Sequence, residues 1–123
     1  MGRSNLNGKT SSELTSTIAE LRRLSREKKA PVWRAMADKL ERPSRNWAEV
    51  NLDRASAHLK EGEVGAVPGR VLGTGRARKG LVLAAYGFSK TARSKLAAAG
   101  GSALSLQELA AGNPKGTRVR ILG

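Results

Sequence analysis

The sequence predicts an α/β domain. Helical periodicity dominates the first 60 or so residues, and short apolar runs of strand length alternate with helix signals after residue 63. The predicted order is two or three helices, then strand, strand, helix, strand, short helix and strand. Strands separated by helices favour parallel or mixed pairing, with the helices packed on the sheet. At 123 residues the chain is most simply one domain with a thin, mainly aliphatic core.

The first helix is predicted to begin at a capping box, Thr10-Ser-Ser-Glu13. Leu14, Ile18 and Leu21 follow at helical spacing and indicate one apolar face. Five cations occupy the eight residues that close this helix, which is more than its dipole needs. We therefore predict a phosphate-facing helix end formed by Arg22, Arg23, Arg26, Lys28 and Lys29.

Residues 1–10 are polar and include two cations. They predict a flexible basic N-terminal arm ahead of a single domain at 11–123. The arm is either an ordinary frayed terminus or a segment that orders on a polyanionic partner, and the sequence leaves both open.

The second helix is predicted to begin at Pro31, because proline suits a first helical turn, and to end before Pro43. Its apolar stripe consists of Val32, Met36 and Leu40. Trp33 flanks this stripe, so we predict that it belongs to the core and is not a platform for stacking bases.

Residues 42–52 are predicted to form a loop that carries Arg42 and Arg45. Asn51 is a good N-cap, so a short helix should follow and close near Gly62. Residues 46–63 are the only net-acidic part of the chain. They are accordingly the stretch least suited to lie along a phosphate backbone.

Two strands are predicted at Val64–Leu72 and Leu81–Tyr86. Pro68 lacks the N–H that a central ladder needs, so it favours an edge position or a bulge. Ser89 is predicted to cap a helix that ends at Gly100 and points Lys90, Arg93 and Lys95 outward.

The C-terminal part begins with a brief extended piece at Ala103–Leu104. A second capping box, Ser105-Leu-Gln-Glu108, opens a short helix. Thr117–Leu122 alternates polar and apolar residues and predicts a half-exposed last strand with Arg118 and Arg120 on its outer face.

A glycine-rich basic turn, Gly73–Gly80, lies between the two longest strands. It lacks the lysine and hydroxyl of a Walker loop, and Arg78 stands where a dinucleotide fingerprint needs its third glycine. Glycine would let the backbone approach a sugar-phosphate chain, and the cations would neutralise phosphates. We predict contacts with nucleic acid here from Arg70, Gly73, Gly75, Arg76, Arg78 and Lys79. We predict further phosphate contacts from the other exposed cations, namely Arg42, Arg45, Lys90, Arg93, Lys95, Arg118 and Arg120.

The net charge of +13 calls for an anionic partner, with nucleic acid the first candidate and an anionic membrane the second. Seven Lys or Arg and no Asp or Glu lie between Glu63 and Glu108. No apolar run approaches the roughly 20 residues of a membrane span, and no signal-peptide core is visible, so we expect a soluble intracellular protein without membrane contact.

Catalysis is not expected. Cysteine is absent, His58 is the sole histidine, and no cluster of metal ligands or paired carboxylates is apparent, so we predict no metal, cofactor or small-molecule substrate. The few aromatic residues favour recognition of folded RNA shape and backbone over base stacking. Charge alone leaves open a free DNA- or chromatin-binding basic protein, and an RNA-modifying enzyme would need a cofactor pocket that the sequence does not indicate.

Several motifs occur in series along the chain: Lys39-Leu-Glu-Arg-Pro-Ser-Arg45, Ala48-Glu-Val-Asn-Leu52, Val67-Pro-Gly-Arg-Val-Leu-Gly-Thr-Gly75, Ala84-Ala-Tyr-Gly-Phe-Ser-Lys-Thr-Ala92, Ala99-Gly-Gly101 and Asn113-Pro-Lys-Gly116. On these motifs, from about residue 14 to the end, the chain resembles the eighteen-e family of large-subunit ribosomal proteins, which is related to bacterial ribosomal protein L-fifteen. The tryptophan at 47 and Gly87 depart from the family pattern at positions where its members vary.

The resemblance implies an irregular strand-strand-helix superhelical core with helical N-terminal elements. It also implies a structural, non-enzymatic role in the large ribosomal subunit of an archaeal cytoplasm. The expected partners are large-subunit ribosomal RNA and neighbouring large-subunit ribosomal proteins.

Overall fold

The computed structural model describes the backbone of residues 2–123 and the side chains of residues 12–43 and 45–123. Helices α1 (Gly2–Lys28) and α2 (Pro31–Leu40) come first, followed by a 3-10 turn at Ser44–Asn46. The remaining elements are β1 (Ala48–Asn51), α3 (Leu52–His58), β2 (Val64–Leu72), β3 (Val82–Phe88), α4 (Lys90–Ala98), β4 (Ser102–Ser105), α5 (Leu106–Gly112) and β5 (Val119–Ile121). The predicted α/β class with helical N-terminal elements is confirmed.

Helix α1 extends upstream of its predicted start at Thr10. Its apolar face is as expected: Leu21 and Leu24 are buried, and Leu14 packs at the margin of the core. The flexible arm at 1–10 stays a prediction, because the side chains of those residues lie outside the described ones. Among the described residues, no helix combines the length and apolarity needed to cross a membrane.

Helix α2 begins with Pro31 in its first turn and buries one face completely. Trp33 is fully buried, and its indole N–H donates a hydrogen bond of 2.7 Å to the carbonyl of Pro114. Trp33 is therefore a core residue, as predicted, and it ties α2 to the segment that precedes β5.

The five strands are all parallel, in the order β1-β2-β3-β4. The fifth strand, β5, also pairs with β2. Strand β1 pairs with Gly69–Leu72 and β5 with Val64–Ala66, so these two short strands lie end to end along one edge of β2 while β3 occupies the other.

Pro68 lies where the pairing of β2 changes on both sides. It falls between the segments paired with β5 and β1, and within the register shift against β3 from Val67 to Arg70. The predicted bulge is confirmed, but the predicted edge position is wrong, because β2 is a central strand. The missing N–H is tolerated because no ladder partner requires it at this point.

One strand was not predicted. Residues 48–51, expected to be loop, form β1, and Asn51 is the N-cap of α3 as expected. Its four residues acquire strand structure by pairing with β2 about 20 residues further along the chain. Local sequence signals carry no information about such a partner.

The sheet is covered on both faces, which is the usual arrangement for parallel strands. Helices α1, α2 and α5 pack on one face and α3 and α4 on the other. Neighbouring strand residues alternate between the two layers: Ala66 and Ala84 face the first, and Val67 and Leu83 face the second.

Candidate nucleic-acid interface

The glycine-rich segment 73–80 is a crossover connection, not the turn expected from the sequence. Strands β2 and β3 are parallel neighbours, so the chain must return from the carboxyl end of β2 to the amino end of β3. It does so without a helix, along the face that carries α3 and α4. We call residues 73–80 the strap.

Helix α3 holds the strap by side chains from the net-acidic stretch. The Asp53 carboxylate accepts the backbone N–H of Arg76 at 3.0 Å. The Ser56 hydroxyl accepts the backbone N–H of Arg78 at 3.1 Å and donates to the carbonyl of Arg76 at 3.2 Å. The stretch predicted to be least suited to a phosphate backbone therefore lies directly under the basic strap.

Two of the cations predicted to bind nucleic acid also hold the strap. The Arg78 guanidinium donates to the carbonyls of Ser56 and Leu59 at 3.0 and 2.6 Å, which satisfies acceptors at the C-terminal end of α3. The Lys95 ammonium, from α4, donates to two strap carbonyls at 2.7 and 2.8 Å. Both side chains therefore have a structural role inside the protein.

Packing within the protein explains why glycine occupies two of the strap positions. A Cβ at Gly73 would lie 2.6 Å from the side chain of Thr91, and one at Gly75, where φ is +88°, would overlap the Asp53 carboxylate. Gly80 also has a positive φ of +75°, but no atom lies within 4 Å of a Cβ placed there. Packing thus accounts for Gly73 and Gly75, and only Gly80 leaves open space beside the backbone.

Arg76 and Lys79 are the strap cations whose side chains take no part in these hydrogen bonds. Both are exposed, and neither side chain forms an ion pair or hydrogen bond with another described residue. Arg70 of β2 is exposed in the same way, beside Gly87 of β3.

The cations at the end of α1 divide into two groups. Arg22 donates to the Glu41 carboxylate at 2.6 and 2.8 Å and to Asp38 at 3.0 Å, and these carboxylates raise the pKa of the Arg22 guanidinium. Arg23 pairs with two glutamates of its own helix, at i−3 and i+4, and the hydrogen bond to the first contributes most to its raised pKa. Both cations are thus already paired.

The second group is exposed and pairs with no described residue. It consists of Arg26, Lys28 and Lys29 at the end of α1, together with Arg34 of α2, which is not among the cations predicted to bind RNA. Arg34 stands alone among apolar residues in the sequence, and the packing of α2 against α1 brings it to the same cleft as Arg26 and Lys29.

The remaining predicted cations have mixed surroundings. The Arg118 guanidinium donates to the carbonyls of Gly62 and Glu61 at 3.0 and 3.1 Å, and a nitrogen of Arg120 lies 3.7 Å from the Glu63 carboxylate. The backbone N–H of Lys60 is the main cause of the lowered pKa of that carboxyl. Arg93 lies over the ring of Phe88 at 5.2 Å. Exposed and without a described partner are Arg42, Arg45 and Lys90.

The aromatic rings are engaged inside the fold. The Trp47 indole N–H donates to the carbonyls of Leu40 and Arg42, and its ring meets Tyr86 edge to face at 5.1 Å. Burial raises the pKa of the Tyr86 phenol. In the part of the chain that the structure describes, no group of three or more His, Cys, Asp or Glu could hold a metal ion.

Comparison with known proteins gives a consistent result. The family that comprises ribosomal proteins 50S-L15 and 50S-L18e, together with a 60S member, matches residues 14–104. The large ribosomal subunit protein eL18 of Methanoregula boonei is 44% identical over 93% of this chain and 94% of its own. The eL18 proteins of Halobacterium salinarum and Thermoplasma acidophilum are 45% and 40% identical, over 93% and 95% of this chain and 97% and 98% of theirs.

Proposed function

We propose that this chain, which belongs to the family of ribosomal proteins 50S-L15 and 50S-L18e, stabilises folded large-subunit ribosomal RNA by phosphate contacts. As a member of this family it is a structural component of the large ribosomal subunit and not an enzyme, and its place of action is the cytoplasmic ribosome. The contacts with RNA, and with neighbouring large-subunit proteins, are the part that we propose.

The observation that carries this proposal is a set of exposed cations without partners among the described residues. A protein of net charge +13 would gain little stability from such residues, because they repel one another. Phosphates are the anions that they suit, and the members of the set that we assign to RNA are Arg26, Lys28, Lys29, Arg34, Arg42, Arg45, Arg70, Arg76, Lys79 and Lys90. Arg54 and Lys60, which lie in the net-acidic stretch 46–63, and Lys115 are also exposed without a described partner, and we assign them no RNA contact.

The engaged aromatic rings support backbone recognition over base stacking. Trp33 and Trp47 use their indole N–H groups within the fold, and Phe88 lies under Arg93. Single-strand binders present free aromatic faces to successive bases. Here cations on the helices and connections around a parallel sheet would instead match the phosphate positions of a folded RNA.

Cosedimentation tests the proposal. A tagged copy of the chain should migrate with the large ribosomal subunit at moderate salt and leave it as salt rises, because each phosphate contact displaces condensed counterions. A pool that migrates with DNA, or that is released by deoxyribonuclease, would contradict the proposal and favour the DNA- or chromatin-binding alternative.

Direct binding gives the second measurement. The purified chain should bind a transcript of large-subunit ribosomal RNA more tightly than it binds duplex DNA of equal phosphate content at the same salt. Equal affinity for the two would leave charge as the only basis of binding and refute recognition of folded RNA.

A further inference from the structure

A cleft of about 500 Å³ lies at the corner where α1 ends and α2 begins. Its walls combine residues from the last turns of α1, from the connection between the helices and from both ends of α2. They consist of Arg22, Ser25, Arg26, Lys29, Arg34 and Asp38. Four cations and one carboxylate thus face a single concave surface.

The Asp38 carboxylate does not neutralise the other cations of the cleft, because it is already paired with Arg22. Arg22 donates to Asp38 at 3.0 Å and to Glu41 at 2.6 and 2.8 Å, which joins the end of α1 to the end of α2. It therefore acts as a brace between the helices. The three other cations keep their charge without a described counterion.

The backbone at Lys29 is a second, independent observation. The N–H of Ala30 donates to the carbonyl of Ser25 at 3.1 Å, and Lys29 adopts a φ of +52°. This is a Schellman ending, in which the left-handed position usually holds glycine because a Cβ is disfavoured there. A lysine at this position is unfavourable for the backbone, so we look for a function of its side chain that would explain why it is there.

Arg118 provides the contrast. It is the other described non-glycine residue with a positive φ, at +62°. Its guanidinium offsets the strain by donating to the carbonyls of Glu61 and Gly62. Lys29 makes no such contact with a described residue, and it lines the cleft.

We propose that Arg26, Lys29 and Arg34 form a phosphate site that holds one segment of RNA backbone in this cleft. The inference rests on the proposed function and sharpens it, because it assigns three contacts to one place and adds Arg34. Arg22 has a positioning role: its bonds to α2 keep the walls of the cleft at a fixed separation. Left-handed backbone at a binding residue is the kind of local strain that functional sites retain.

Lys29→Gly is the decisive variant, because stability and binding should move in opposite directions. Glycine removes the steric cost of the left-handed backbone, so the Tm should rise. Loss of one phosphate contact should weaken binding to a large-subunit ribosomal RNA transcript about fivefold at 150 mM salt and make its logarithmic salt slope shallower by about one.

Arg34→Ala and Arg26→Ala should each weaken RNA binding by a similar factor, and Arg54→Ala is the matched control. Arg54 is an exposed arginine of α3 outside the cleft, and its loss should leave both affinity and salt slope unchanged. Because Arg34 and Arg26 lie on helix surfaces, these variants keep the test valid even if Lys29→Gly unfolds.

The outcomes separate the two proposals. If the wild-type chain binds the transcript, and Arg34→Ala and Lys29→Gly bind it with unchanged affinity and salt slope, the cleft assignment is wrong and the proposed function stands. Failure of the wild-type chain to bind the transcript would overturn the proposed function itself. Equal losses in Arg54→Ala and Arg34→Ala would show that binding follows net charge and not the cleft, which also refutes the site.

Discussion

The strap and the α1–α2 corner are both dense in cations, yet they use them differently. In the strap, the Arg78 guanidinium donates to carbonyls of α3, and the Lys95 ammonium of α4 donates to carbonyls of the strap itself. At the corner, only Arg22 is committed to the fold, while Arg26 and Lys29 pair with no described residue. The same side-chain chemistry therefore stabilises the protein in one region and stays available to a partner in the other.

This difference teaches that charge density in a sequence does not measure charge available for binding. Availability depends on which acceptors the fold brings within reach, and Asp53 and the end of α3 reach the strap from a different part of the chain. Variants can separate the two uses, since a bracing cation should affect the free energy of unfolding and a free one should affect RNA affinity.

The largest expected effect is that of Gly75→Ala in the strap. The new Cβ would overlap the Asp53 carboxylate and force a left-handed backbone on alanine. The steric cost and the lost Arg76–Asp53 hydrogen bond should together lower the free energy of unfolding by about 3 kcal/mol. Urea denaturation measures this change.

Gly80→Ala is the control for that measurement. Gly80 shares the positive φ but has open space beside it. Its substitution should cost only the backbone term, about 1 kcal/mol. Equal losses at the two glycines would show that contact with α3 does not define the strap, and the contrast between the regions would fail.

The next effect in size is that of Arg78→Ala. It removes two charge-assisted hydrogen bonds to the last carbonyls of α3, one of them at 2.6 Å, from a partly exposed site. We expect the free energy of unfolding to fall by about 1.5 kcal/mol. The neighbouring variant Lys79→Ala should leave it within about 0.5 kcal/mol of wild type, and a loss at Lys79 as large as that at Arg78 would contradict the assignment.

Arg22→Ala should have a smaller effect on stability, and Arg26→Ala is the variant to compare with it. Arg22 spans two helices through exposed ion pairs, which contribute modestly and are screened by salt. Its loss should lower the Tm at low salt and less at high salt. Arg26→Ala should leave the Tm unchanged and weaken RNA binding, and the reverse pattern would exchange the roles of the two residues.

The parts of the fold that local chemistry determines were predictable. The capping box at Ser105 forms as expected: the Glu108 backbone N–H donates to the Ser105 hydroxyl at 3.0 Å, and the Ser105 backbone N–H donates to the Glu108 carboxylate at 2.7 Å. Pro31 opens α2, also as expected. Strand β1 and the crossover were missed because both depend on pairing with β2. A parallel partner leaves no turn signal in the sequence, whereas a hairpin does.

The site was predictable as a set of charges and not as an arrangement. Acid-free sequence around the strap gave no hint that Asp53 would lie beneath it. Arg34 was overlooked because an isolated arginine in an apolar stripe resembles an ordinary exposed position. Arg34 comes close to Arg26 and Lys29 only when α2 folds back against α1.

The smallest expected change in stability belongs to the double variant Arg76→Ala with Lys79→Ala. Neither side chain forms a hydrogen bond or an ion pair with a described residue, so the free energy of unfolding should stay within about 0.5 kcal/mol of wild type. RNA affinity should still fall, and its logarithmic salt slope should become shallower by about two, because each side chain would serve one phosphate. An unchanged slope would mean that the strap is scaffold alone. The corner would then be the better supported of the two RNA contacts, since removal of its unpaired cations would be what lowers RNA affinity.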